Sequence, residues 1–176
     1  YQVPGWDGLS LQQKEYVYHL AEAAKYGRDI IWMQNCKDNL EVRKVLENIL
    51  ENYTGDRTTT DFAKFETYAK RVFFSNGIHH HYAEDKFFPE CSQEYFQSLM
   101  VAVGDEAKCE KLLPVMFDPA VYPARKDMHA EDIIAASAVN FYEGVTRAEV
   151  EALYAAMADP TDKTPVSYGL NSRVVK

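Results

Sequence analysis

Cysteine is scarce in this chain. Cys36, Cys91 and Cys109 are far apart, odd in number, and form neither a Cys-x-x-Cys pair nor zinc-ribbon spacing. Disulfides are not expected, and the thiols read as inert, semi-buried groups. Clustered positive charge is equally thin. Lys70-Arg71 and Arg125-Lys126 are short pairs set among acids, and the formal charge is −8. Phosphate binding needs a basic surface, so a nucleic-acid partner is excluded from the reading. No stretch approaches the roughly 18 apolar residues of a membrane span. The chain opens on Tyr1 rather than Met, so a start or targeting segment is expected outside it.

Familiar catalytic signatures are missing too. There is no His-Glu-x-x-His, and the nearest approach, His129-Ala130-Glu131, lacks its second histidine. No glutamate stands three residues before a histidine, which removes the helix-bundle di-iron pattern. Neither a Gly-x-Ser-x-Gly elbow nor a P-loop occurs. A distant histidine does not make Cys91 a nucleophile, because any chain holding both residues permits that pairing.

What is present is an aromatic-rich, helix-patterned chain. Hydrophobic residues make up 47%, charged ones 26% and aromatics 13%, with twelve tyrosines. These proportions suit one folded domain, or one lobe of something larger. Ser10-Leu11-Gln12-Gln13 is a capping box. Tyr16, Val17, Leu20 and Ala24 follow at helical spacing until Gly27, the expected end. Asp38-Asn39-Leu40-Glu41 opens a second helix with Val42, Val45, Leu46, Ile49, Leu50 and Tyr53 as its stripe, closed by Gly55.

A third helix, over 61–75, carries Phe62, Phe65, Ala69, Val72 and Phe73 and stops at Asn76-Gly77, a left-handed cap. Pro89 and Ser92 introduce a fourth through Tyr95, Phe96, Leu99 and Met100. A shorter one near 106–117 is expected to be interrupted by Pro114, and Asp118-Pro119 and Tyr122-Pro123 mark an irregular crossing. Residues 133–141 suit a short helix or a buried strand. Thr146-Arg147-Ala148-Glu149 is a second capping box, ahead of Val150, Leu153, Tyr154 and Met157. Residues 166–176 read as extended, ending with nothing to pair against. The fold class is mainly α, with about five to seven helices and a few short strands.

Three polar-aromatic knots interrupt the helices. The first is Phe74-Ser75-Asn76-Gly77-Ile78-His79-His80-His81-Tyr82, running on to Asp85-Lys86-Phe87-Phe88-Pro89. A packed core has no use for such a run, so it is expected to line a cleft. An extended backbone after Gly77 would point Ile78, His80 and Tyr82 one way and His79 and His81 the other. At most two histidines then converge, too few for a structural zinc, and no metal site is expected here. Imidazoles that donate and accept hydrogen bonds suit contacts with peptide backbones. The other knots, Asn140-Phe141-Tyr142-Glu143-Gly144 and Tyr168-Gly169-Leu170-Asn171-Ser172-Arg173, each read alone as a turn.

Taken together, the knots resemble the N-terminal lobe of the dipeptidyl peptidase III family, in its bacterial branch. The likeness is carried by Tyr68-Ala69-Lys70-Arg71-Val72-Phe73-Phe74-Ser75-Asn76-Gly77, then His81-Tyr82, Asp85-Lys86-Phe87 and Pro89. Tyr1-Gln2-Val3-Pro4-Gly5, Leu9-Ser10-Leu11-Gln12-Gln13-Lys14 and Pro165-Val166-Ser167-Tyr168-Gly169-Leu170-Asn171-Ser172-Arg173 extend it across the chain in order. The resemblance implies a two-lobed zinc exopeptidase that removes dipeptides from peptide N-termini. One lobe holds zinc through a His-Glu-x-x-x-His motif and a later glutamate. The other, helices around a small β core, supplies much of the peptide-binding surface.

This chain has neither the zinc motif nor the family's Tyr-x-Asp-Pro segment. It is therefore expected, over 1–176, to be the N-terminal part of the non-zinc lobe, one wall of the peptide cleft and inactive alone. Its partners would be the zinc lobe and a peptide substrate, with zinc bound by the complete enzyme rather than by this chain. The resemblance places Tyr82 in the cleft, while strict alternation would group it with Ile78; a bend near His81 reconciles the two. Asn76, His80, His81 and Tyr82 are the expected substrate-binding residues. The alternative is a stand-alone helical binding module derived from that lobe.

Overall fold

The computed structural model describes residues 2–163 and 173–176. Among these, seven α-helices and two short 3-10 turns account for most of the regular structure. Helix α1 (Leu11–Asn35) is followed by α2 (Asn39–Asn52), α3 (Thr60–Ser75), α4 (Gln93–Ala102) and α5 (Cys109–Phe117). A single turn, α6 (Ile133–Ala136), then precedes α7 (Arg147–Met157). The mainly helical expectation holds. No helix among the described residues is long and apolar enough to cross a membrane.

The core lies where α2, α3, α4 and α5 meet. Val42, Val45, Leu46 and Ile49 of α2 face Phe62, Phe65, Tyr68 and Val72 of α3, with Phe96 and Leu99 of α4 and Leu112 and Met116 of α5 closing the cluster. Edge-on aromatic pairs run through it: Phe65–Phe96 at 5.5 Å and Phe96–Phe117 at 5.6 Å between ring centroids. Helix α1 joins only through its C-terminal end. Trp32 is its one buried residue, and the Arg43 guanidinium lies over that ring at 5.5 Å.

Both capping boxes form, at Ser10 with Gln13 and at Thr146 with Glu149. Two helix boundaries differ from expectation. Gly27 does not end α1, which runs eight residues further, to Asn35. A mid-helix glycine costs about 1 kcal/mol relative to alanine, too little to stop a helix whose anchor, Trp32, lies beyond it. Pro114 does not interrupt α5 either. It sits on the exposed face, as does Glu110, whose carbonyl loses its helical partner and can turn to water.

The tail is the larger correction. Val174–Val175 (β2) pairs in parallel with Tyr142–Glu143 (β1), so the end of the chain does have a partner. Arg173 donates to Asn140 Oδ1 at 2.9 Å and pairs with Glu143, and Lys176 reaches Glu149 at 2.8 Å. The second knot and the end of the third, read separately as turns, therefore meet. Residues 164–172 of the expected extended tail lie outside the described residues.

Candidate functional site

The site begins at the end of α3. Asn76 adopts the left-handed conformation (φ 53°, ψ 42°), its N–H returning to Phe73 O while Gly77 N–H reaches Val72 O at 3.1 Å. This double closure satisfies the last carbonyls of the helix and ends it as Asn-Gly predicts. Glycine is required next because a Cβ at Gly77 would sit 2.3 Å from Asn39 Nδ2. Asn39 cannot easily retreat: it is fully buried, and its Oδ1 accepts the Ile78 N–H at 3.1 Å.

Beyond Gly77 the chain folds into a tight loop rather than an extended strand, and the expected alternation fails. His79 bridges Lys86 in antiparallel fashion, Phe87 N–H donates to Ile78 O at 2.8 Å, and His80 N–H donates to Asp85 O at 2.7 Å. Residues 81–83 form the turn, with Glu84 at positive φ (68°). Ile78 and His79 are both buried, while Tyr82 is 83% exposed. His80 and His81, expected on opposite faces, stack with centroids 4.9 Å apart and planes 17° from parallel. Reversal of the backbone at the turn overrides the strand period. The turn also provides the bend that places Ile78 inside and Tyr82 outside.

Arg125 clamps this loop. Its guanidinium donates to both carboxylate oxygens of Glu84, at 2.6 and 2.8 Å, to Asn35 Oδ1 at 3.1 Å and to His81 O at 3.3 Å. The fork holds the Glu84 carboxyl below its ordinary range. Arg125 N–H also donates to Glu84 O at 2.9 Å, adding a third strand-like segment through Asp85 and Ala124.

The three histidines have three different jobs. His79 is a core residue: Nε2–H donates to Tyr122 O at 2.8 Å, and Nδ1 has no partner among the described residues. Burial, above all, pushes its pKa down to about 4, with Lys86 and Arg125 adding repulsion. His80 builds the turn, since its Nδ1 accepts the N–H groups of Tyr82 (3.2 Å) and Ala83 (3.0 Å). His81 Nδ1 lies 3.2 Å from Ser75 Oγ. Lys86 is also structural; its ammonium donates to Asp118 O (2.6 Å) and Val121 O (2.7 Å), and burial lowers its pKa to about 8.

His80 and His81 line a groove of about 520 Å³ with Thr67, Lys70, Arg71, Phe74, Ser75 and Phe87. That volume falls in the ~300–1,000 Å³ range of small-ligand sites. Tyr82 leans on the rim, its ring 4.3 Å from that of His81, and Phe74 meets His81 edge-on at 5.1 Å. Of the expected substrate-binding residues, the fold gathers His80, His81 and Tyr82. Asn76 lines a separate groove with Trp32, Arg43 and Phe73, and its carbonyl accepts from Asn35 Nδ2 at 3.1 Å.

Phe74, Phe87, Lys70 and Arg71 were not among the expected contacts, although helical spacing from Thr67 to Phe74 puts the α3 residues beside the loop. The role of Arg125 has no local signal, its partner Glu84 being 41 residues away. Among the described residues, no three His, Cys, Asp or Glu side chains gather to hold a metal. No protein-family model matches the chain, and no curated protein matches it.

Proposed function

We propose that this chain forms one wall of the peptide-binding cleft of a dipeptidyl peptidase III-like zinc exopeptidase. The observation that carries the reading is the groove beside the Asn-Gly helix end. Its imidazoles and aromatics stand at the surface, with Tyr82 at 83% exposure although a tyrosine ring gains from burial. A large aromatic held at the rim of a groove by a clamped loop suits contact with an extended peptide. The residues here do not fit a zinc site, so metal chemistry belongs to the other lobe in this reading. This wall's contribution is to bind and orient the peptide.

The test is release of dipeptides from a dipeptidyl arylamide by the longer parent polypeptide, beside the 176-residue chain. The parent should cleave, with one zinc per molecule, and the chain alone should be inactive with or without added zinc. A parent with no such activity would favour the stand-alone binding module. Zinc-restored turnover by the chain alone would contradict the lobe assignment.

A further inference from the structure

The two groove histidines share a feature that narrows what the groove can hold. His80 Nδ1 accepts two backbone N–H groups, so its neutral ring must carry the proton on Nε2. Ser75 is buried, and its hydroxyl makes no other hydrogen bond among the described residues. A buried O–H needs an acceptor, so Ser75 Oγ–H donates to His81 Nδ1, which again leaves the proton on Nε2. Neither Nε2 has a partner among the described residues. Two stacked rings therefore present two unused N–H donors and no acceptor nitrogen.

Two cations stand beside them, each paired with a carboxylate. Lys70 and Arg71 line the same groove, tied to Glu66 at 3.2 Å and Glu90 at 3.1 Å. Both pairs are solvent-exposed, so they are weakly held and exchangeable for an incoming anion. Phe74 and Phe87 add apolar surface to its lining.

We propose that this groove recognises a peptide carboxylate, accepted by the Nε2–H groups of His80 and His81 and attracted by Lys70 and Arg71. The carboxylate belongs to an acidic side chain or to a peptide C-terminus, next to a residue whose side chain packs on Phe74 or Phe87. The proposal rests on the peptide-wall reading and specifies which group of the peptide meets this part of the wall.

Three acetylated tripeptides test it on the 176-residue chain by isothermal titration and by imidazole nitrogen NMR. They are Phe-Asp-Ala amide, Phe-Asn-Ala amide and Ala-Phe-Ala with a free C-terminus. One or both carboxylate peptides should bind about tenfold more tightly than the asparagine control, as a charge-assisted bond outweighs a neutral one. Which of them does so identifies the source of the carboxylate.

The NMR should show unprotonated Nδ1 and protonated Nε2 on both rings, and peptide should shift the Nε2 signals of His80 and His81. Replacing Lys70 and Arg71 together by glutamine should erase most of the preference. If the asparagine peptide binds as well as the carboxylate peptides, the carboxylate assignment fails and the peptide wall stands. If none of the three binds, the carboxylate proposal fails, and the peptide-wall reading is decided separately by the parent's arylamide turnover. Nδ1-protonated rings would overturn the donor assignment irrespective of affinity.

Discussion

Acid should unfold this protein through His79 before it acts on the carboxylates. The residue is 2% exposed, its Nε2–H is committed to Tyr122 O, and among the described residues its Nδ1 has no acceptor for a second proton. Burial holds the folded-state pKa near 4 against an ordinary 6.5. The unfolded chain therefore binds a proton that the folded chain refuses between those values, and stability falls as pH falls through that window.

At about 1.4 kcal/mol per pH unit the full loss is about 3 kcal/mol, of which about 2 kcal/mol is spent by pH 5. Glu84, whose pKa is depressed by Arg125, loses its contribution only below the ordinary carboxylate range, and Lys86 changes charge near pH 8. Comparison with a variant lacking only this imidazole isolates the His79 share of the interval from pH 7 to 5. His79→Gln keeps an N–H donor for Tyr122 O and removes the titration. Urea unfolding of both proteins across that interval should show wild type losing about 2 kcal/mol more than the variant. Parallel pH profiles would refute the reasoning, whatever the cost of the substitution at pH 7.

Tyr68 is fully buried with a hydroxyl that has no partner among the described residues, so Tyr68→Phe should be neutral or stabilising by up to about 1 kcal/mol in the same denaturation assay. Gly77→Ala would push a methyl to 2.3 Å from Asn39 Nδ2 and should cost about 1–3 kcal/mol, read as a lower urea midpoint at unchanged slope.

The helices were legible because their signals are local. Ser10 with Gln13 and Thr146 with Glu149 each place a cap and its reciprocal partner within four residues. The left-handed Asn76 needed only the Asn-Gly pair. Gly27 and Pro114 misled because tertiary anchoring at Trp32 and a solvent-facing carbonyl override weak local preferences. The histidine run was legible as a place but not as a set of roles. His79 is decided by a carbonyl 43 residues away, and the loop shape by an arginine 41 residues from Glu84. Period-two alternation had no means of detecting the turn that these partners stabilise. The β1–β2 pairing was hidden for the same reason, its strands being two residues long and distant in the chain.

Tyr82→Ala in the longer polypeptide that the proposal implies is the most direct measurement. At 83% exposure the side chain contributes little to folding, so stability should change by about 0.5 kcal/mol or less, with little movement of the melting temperature. If the groove is a wall of the peptide cleft, kcat/KM for a dipeptidyl arylamide should fall by about tenfold or more, while zinc content stays at the wild-type level. Wild-type kinetics with a lowered melting temperature would make Tyr82 a packing residue and contradict the cleft assignment.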